Sequence, residues 1–457
     1  MIYFALSFKM GRILNLTEGS ITGRLLRYTV PMMAGSLMQQ CYNIADTLIV
    51  GRFVGAGALA AVGSSYTLMV FLVSVLLGLS MGSGTVMSMK FGAGDGSGLR
   101  RSLYAAFILT AGVSVLLNAA AFIFMERIMY LLQVPDDVFG LMEDYLEIIF
   151  CGIFLTFIYN FFASVLRAVG DSLTPLWFLG GSVVLNIALD LVFILLFGMG
   201  VKGAAWATVI SQGVSAAGVL VYVLVKCPDL RPRREDMRMD MAALKEIASF
   251  SSLTCIQQSV MNLGILAVQG IVNGFGTAVM AAFAAAVKID SFAYMPVQEF
   301  GNAFSTFVAQ NFGAGKKDRI RRGLVNAFAV SVLFSSVISV SVFLLARPLM
   351  LVFVQPDQTE IIRTGIQYLR IEGAFYPGIA VLFLFYGYFR AIRMPSVSVL
   401  LTVLSLGTRV VLSYWLSAVP AIGAVGIWWS IPIGWAIADA AGFIAMRVCR
   451  GRMAAER

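Results

Sequence analysis

The chain has 457 residues, of which 59% are hydrophobic and only 12% charged, with a mean hydropathy of +0.87. A soluble domain is about 45–50% apolar and about 25% charged, so this composition excludes an ordinary water-soluble fold and points to a polytopic membrane protein. There is no histidine and the net charge is +9, which removes His-based acid–base catalysis, most zinc chemistry and any histidine proton relay.

Residues 1–20 hold a short apolar stretch with no small-residue cleavage site, and do not read as a signal peptide. The segment "KMGRILNLTEGS" (9–20) leaves Met10 as a second candidate start beside Met1. Apolar blocks of about 20 residues or more can cross a bilayer. They fall at 25–50, 58–82, 102–124, 141–165, 174–197 and 202–225, and again at 246–271, 277–303, 324–345, 365–388, 396–418 and 423–446. The expected fold is therefore an all-α integral membrane protein of twelve transmembrane helices in two six-helix lobes. The lobes take residues 1–226 and 244–457, joined by a cytoplasmic linker, 227–243, within the basic segment "KCPDLRPRREDMRMD" (226–240). Cys41, Cys151, Cys227, Cys255 and Cys449 form no CxxC and read as small packing residues.

Charge follows the same parse. The termini and the loops after spans 2, 4, 6, 8 and 10 carry 25 of the 33 Lys and Arg. The other loops carry Arg52, Arg127, Lys202, Arg347, Arg363 and Arg370, while Lys288 and Arg409 lie within spans. The positive-inside rule then puts both termini in the cytoplasm, and the basic balance reports topology, not nucleic-acid binding.

Four motif matches fail on context. "GLSMG" (78–82) fits a nucleophile elbow but sits inside span 2, with no strand before it and no histidine to act as base. "GAGDGSG" (92–98) lacks the Gly-Lys-Ser/Thr ending of a phosphate loop and reads as a tight turn. "NLT" (15–17) would lie in the cytoplasm, which rules out glycosylation, and "GRFVG" (51–55) reads as helix packing.

The two halves repeat. Gln39, Asn43, Gly51 and Gly55 meet Gln258, Asn262, Gly270 and Gly274 at an offset of 219. "FGAGD" (91–95) meets "FGAGK" (312–316) at 221, and "LRA" (166–168) meets "FRA" (389–391) at 223. Each half holds an even number of spans, so the repeats are parallel, as in transporters whose substrate path lies between the halves.

A carboxylate near mid-membrane costs about 2.5–3.5 kcal/mol even on insertion scales. Asp46 nevertheless sits in span 1, with Gln39 and Asn43 on the same face at i, i+4 and i+7. Asn186 and Asp190 are i, i+4 on span 5, Thr208 and Gln212 are i, i+4 on span 6, and Tyr145 stands near the start of span 4. If these faces converge they form a pocket able to hold a proton or a small cation. The second half lacks the pattern: Ile265, Arg409 and Ser413 stand where Asp46, Asn186 and Asp190 would be. Asp290, Glu299 and Glu372 are second-rank candidates. Arg409 with Asp439, and Asp290 with Lys288, are expected to pair as structural bridges.

"LTEGSITGRLLRYTVPMM", "QQCYNIADTLIVGRFVG", "FGAGD", "LRAVGDSLTP", "LNIALDLV" and "GAAWATVISQ", continued by "KIDSFAYMP", "FVAQNFGAGK" and "FRAIRMPS", resemble the multidrug and toxic compound extrusion (MATE) transporters over nearly the whole chain. The resemblance implies a secondary active transporter, not an enzyme, that exports amphipathic or cationic drugs and toxic compounds. It would do so by alternating access, in antiport with H⁺ or Na⁺, across the plasma membrane of a bacterium. It also implies the branch whose coupling site lies in the N-terminal lobe, at Asp46, Tyr145, Asn186, Asp190 and Thr208, with Na⁺, if used, at Asp46, Asn186 and Asp190. Pro31 would serve as the hinge. No cofactor is expected, and the partners are small amphipathic or cationic substrates and the bilayer, with no nucleic acid and a monomeric chain. A flippase for a lipid-linked precursor is the alternative.

Overall fold

The structure, a computed structural model, describes residues 13–131, 134–237 and 240–455. Met1 and Met10, and the side chain of Cys449, lie outside the described residues. Among them there are thirteen α-helices and no strand. The first six are α1 (Ile21–Phe53), α2 (Ala56–Gly92), α3 (Gly96–Leu131), α4 (Asp136–Ala168), α5 (Leu173–Leu191) and α6 (Gly200–Lys226). After the linker come α7 (Met241–Asn273), α8 (Thr277–Gly313), α9 (Lys317–Leu351), α10 (Thr359–Gly373), α11 (Tyr376–Ala391), α12 (Pro395–Ser417) and α13 (Ala424–Ala455).

Ten of these helices are long and apolar enough to cross a membrane, and α10 with α11 makes an eleventh span, bent by 51°. The block expected as one helix at 365–388 is thus broken. Pro377 lies in the first turn of α11 and has no N–H to continue the ladder from α10. At 33 residues α1 is also long enough to cross. Its Gln39, Gln40, Asn43 and Asp46 hold its hydropathy below that of the others. At about 1.5 Å per residue, the 37 residues of α2 extend well past a hydrocarbon core of about 30 Å.

The chain divides into two compact units. One comprises Met1–Ser251 with Gly313–Gly315, the other Ser252–Phe312 with Lys316–Arg457. In the first unit α4 packs on α2, α3 and α6, and α5 packs on α1 and α6. Its aromatic core centres on Phe107, whose ring lies 5.5 Å from Phe161 and 5.8 Å from Phe157. The side chains Leu116, Ile123, Val184 and Leu196 are exposed, as lipid-facing apolar groups must be. In the second unit α12 packs on α13 and α11 on α9, α12 and α13. There Phe283 stacks on Trp428 at 5.5 Å, with Tyr368 edge-on to Trp428 at 5.0 Å. A Cβ at Gly387 would stand 2.5 Å from the Gly301 carbonyl, so the absence of a side chain lets α8 and α11 touch backbone to backbone.

The repeat extends to backbone detail. The "FGAGD" and "FGAGK" turns each place a glycine in the left-handed region, Gly94 at φ 69° and Gly315 at φ 68°. Gly170 (φ 96°) follows "LRA", and at the same offset Arg393 (φ 66°) follows "FRA" despite its side chain. After the "GAGD" turn, Asp95 Oδ1 caps α3 by accepting the Gly98 N–H at 2.8 Å. This is the tight turn expected in place of a phosphate loop. "GLSMG" lies within α2, as its rejection required.

The linker is fastened to the first unit by its acids. Arg100 Nε donates to Asp236 Oδ2 at 2.6 Å and Arg101 reaches Asp240 at 3.3 Å. Asp240 Oδ1 also caps α7, accepting the Ala242 and Ala243 N–H groups. The first turns of α7 rest on α2, where Ser251 Oγ donates to the Leu79 carbonyl at 3.0 Å.

Candidate functional site

The polar residues of the first unit converge. Asp46 on α1 is 7% exposed, and on α5 Asn186 and Asp190 are 1% and 0% exposed. Both α5 residues are one helical turn apart and so share a face. A π-turn, Val192–Leu196, starts two residues beyond Asp190. Such turns loosen the hydrogen-bond ladder and recur beside functional groups.

The Asp46 and Asp190 carboxyl groups lie within hydrogen-bonding range of each other. Neither oxygen of Asp190 accepts a hydrogen bond from a protein donor, nor does Asp46 Oδ1 or Asn186 Oδ1. Two ionised carboxylates about 4 Å apart repel by roughly 4 kcal/mol even at an effective dielectric of 20. A shared proton or a cation between them removes that repulsion. The four free oxygens suit either one, since small hard cations take carboxylate and amide oxygen ligands. Among the described residues no three His, Cys, Asp or Glu side chains gather around a common point.

Hydroxyl groups close the pocket. Thr208 Oγ1 lies 3.1 Å from Tyr42 Oη and accepts the Asn186 Nδ2 at 3.4 Å. Tyr145, on α4, faces Asp46, Asp190 and Tyr42. Its ring belongs to an apolar wall with Val50, Ala58, Ile149 and Val209. Asp46, Tyr145, Asn186, Asp190 and Thr208 are therefore in one place. Tyr42 joins them and was missed from the sequence, although its position four residues before Asp46 put it on the same face.

The supporting residues are less central. Asn43 Nδ2 donates to Gln40 at 3.1 Å, and Gln39 is half-buried. Gln212 accepts the Thr156 hydroxyl instead of reaching the carboxyl pair. Pro31 lies inside the continuous α1.

Two expected bridges do not form. Arg409 does not pair with Asp439, which feels no charge from it. Its guanidinium acts on Glu372 and Asp290 instead. Nor does Lys288 pair with Asp290, because residues two apart on a helix point to different sides. Tyr376 Oη donates to Asp290 Oδ1, and Glu372 is its other close neighbour. Glu299 stands apart from that cluster, its charge acting on Arg390.

A family profile, MatE, matches the chain twice, at residues 31–192 and 254–415, one copy in each half. The probable multidrug resistance protein YpnP of Bacillus subtilis (strain 168) is 32% identical over 416 residues, which cover 91% of this chain and 90% of that protein. An FAD transporter of Shewanella oneidensis (strain MR-1) is 24% identical over 93% of this chain and 94% of its own length. Among solved structures, an outward-facing multidrug resistance MATE transporter of the MOP superfamily superposes with a TM-score of 0.90. It is 22% identical, and the match covers 96% of this chain and 98% of that one.

Proposed function

The chain belongs to the MatE family of multidrug and toxic compound extrusion transporters, and on that premise we propose that it exports amphipathic or cationic compounds by alternating access, in antiport with H⁺ or Na⁺ bound at Asp46 and Asp190. It is a multi-pass membrane transporter with bacterial relatives. We place it in the plasma (inner) membrane of a bacterium with both termini in the cytoplasm, working as a monomer without a cofactor.

One observation carries the coupling reading: two buried carboxyl groups face each other, and three of their oxygens accept no hydrogen bond. Loading with a cation relieves the repulsion within the pair, and unloading leaves more charge in a low-dielectric setting. The conformation that tolerates the loaded pair therefore differs from the one that tolerates the unloaded pair, and a transmembrane cation gradient biases the exchange. Contact between the two carboxyl groups favours the proton, which they can share directly. Sodium would use Asp46, Asp190 and the Asn186 carbonyl oxygen. Each elementary charge moved contributes about 2.3 kcal/mol per 100 mV. A flippase reading needs a strongly cationic cavity. Arg409, one of the two basic residues expected within spans, instead faces Glu372 and Asp290.

The test is ethidium transport in proteoliposomes under an imposed pH gradient, and then under an imposed Na⁺ gradient. Wild type is expected to transport under one of them, while Asp46→Asn and Asp190→Asn lose gradient-driven transport at least tenfold. Undiminished transport by both variants would overturn the coupling site. Adding FAD to the substrate panel tests whether this chain shares the cargo of its Shewanella relative.

A further inference from the structure

The second unit contains its own buried ionic cluster. Asp290 on α8 and Glu372 on α10 are 5% and 3% exposed. Tyr376 donates to Asp290, and Glu372 is within hydrogen-bonding range of both Asp290 and Tyr368. The Arg409 guanidinium on α12 is near enough for its charge to act on both acids while forming no direct ion pair with either. Glu372 Oε2 and Arg409 Nε make no hydrogen bond. The Phe283, Tyr368 and Trp428 rings form an apolar side to the cluster. Gly434 brings α13 close behind it, since a Cβ there would stand 2.6 Å from the Ser405 carbonyl and 3.5 Å from Arg409 Cβ.

The repeat shows how the two clusters are related. At the offset of 223, Tyr368 corresponds to Tyr145 and Arg409 to Asn186, while Glu372 replaces Ile149 and Asp290 replaces Met69 (offset 221). Each unit therefore holds two acids beside an equivalent tyrosine, on different spans of the repeat, and only the second adds a fixed positive charge. Net charge in low dielectric is costly, so each cluster tends to neutrality. The Asp46–Asp190 pair needs two positive charges from outside the protein. Asp290 and Glu372 need only one, because Arg409 supplies the other.

We infer that Arg409 is a tethered cation, occupying for Asp290 and Glu372 the role that an exchangeable cation has at Asp46 and Asp190, and that it closes the second unit to cation exchange. The pair keeps one proton, shared between the two carboxyl groups, and takes up nothing further. Without Arg409 the same pair gains one monovalent cation. This inference stands independently of coupling in the first unit.

The experiment uses the full chain, purified in detergent, with Asp46→Asn and Asp190→Asn so that the coupling pair of the first unit contributes no acid. Infrared absorption of protonated carboxyl groups and binding of ²²Na⁺ are measured together. Arg409→Gln is expected to gain one equivalent per protein, as extra protonated carboxyl without Na⁺ and as bound ²²Na⁺ where sodium displaces it. Arg409→Lys should match the parent. No gain in Arg409→Gln by either readout overturns the inference, as does Na⁺ binding by the parent that Glu372→Gln abolishes. Should Arg409→Gln fail to fold, Glu372→Gln with Arg409 intact decides alone. It leaves a neutral Asp290–Arg409 pair and should lose one equivalent of protonated-carboxyl absorption, and an unchanged absorption overturns the proposal.

Discussion

Asp46 and Asp190 carry the proposed coupling, but their neighbours set how tightly the cation is held. The Tyr42 hydroxyl engages Thr208, which also accepts from Asn186, so the amide carbonyl oxygen is left facing the pocket. Removing the Tyr42 hydroxyl while keeping its ring frees Thr208 and loosens Asn186. A single neutral hydrogen bond contributes about 0.5–1.5 kcal/mol. Tyr42→Phe is therefore expected to retain gradient-driven transport with cation affinity weakened roughly two- to tenfold, read as a shift in the pH or Na⁺ dependence of ethidium efflux in proteoliposomes. An unshifted dependence would remove Tyr42 from the site. Asp46, Asn186 and Asp190 were legible in the sequence because acids and amides in an apolar block have few structural explanations, whereas Thr208 came from its i, i+4 spacing with Gln212 and Tyr145 from its place near the start of span 4 together with the family resemblance. Tyr42 was not, since a tyrosine there also reads as ordinary apolar filling. Arg409 was assigned the wrong partner for a related reason. Spacing within one helix fixes a face, but which faces meet across helices is decided only by packing.

At the scale of elements, the hydropathy pattern located every crossing segment but not their breaks. The 365–388 block carries Gln367, Arg370 and Glu372 in its first third and is apolar beyond them, but proline is tolerated inside membrane helices, so Pro377 alone did not mark a break between α10 and α11. The linker gave a second surprise: a segment noted for its arginines is held by its acids. Burial acts to raise the Asp236 carboxyl. The hydrogen bonds from Arg100 and the Arg233 N–H, with the charges of both arginines, outweigh it and hold the group below the usual carboxylate range. A carboxyl lowered on folding stabilises the fold above its unfolded value, about 3.9, and loses that contribution as pH falls through its folded value. Asp236→Asn should thus cost about 1–3 kcal/mol at pH 7, seen as a lower melting temperature in detergent. The gap between variant and wild type should close below about pH 4. A gap that persists unchanged in acid would mean the Arg100–Asp236 contact is not the source.

At the scale of the whole molecule, two units descend from one repeated sequence pattern, and the family profile matching twice at the same spacing bears this out. The proposed orientation of the chain in the membrane rests on charge alone. The Asp95 turn shows why charge is a sound guide here. Its carboxyl is held low, first by the Gly98 N–H, and Lys90 and Arg101 add to this, so even the acid in that loop is bound up in a basic surround. Loops of this kind resist translocation, which is the ground for proposing that they lie in the cytoplasm. In a chain whose native cysteines are replaced, Ser97→Cys and Gln355→Cys place thiols at exposed positions in loops expected on opposite sides. A membrane-impermeant maleimide should label Gln355→Cys in intact cells and Ser97→Cys only after permeabilisation. The reverse pattern would invert the topology, and with it the direction in which the Asp46–Asp190 pair meets the proton gradient.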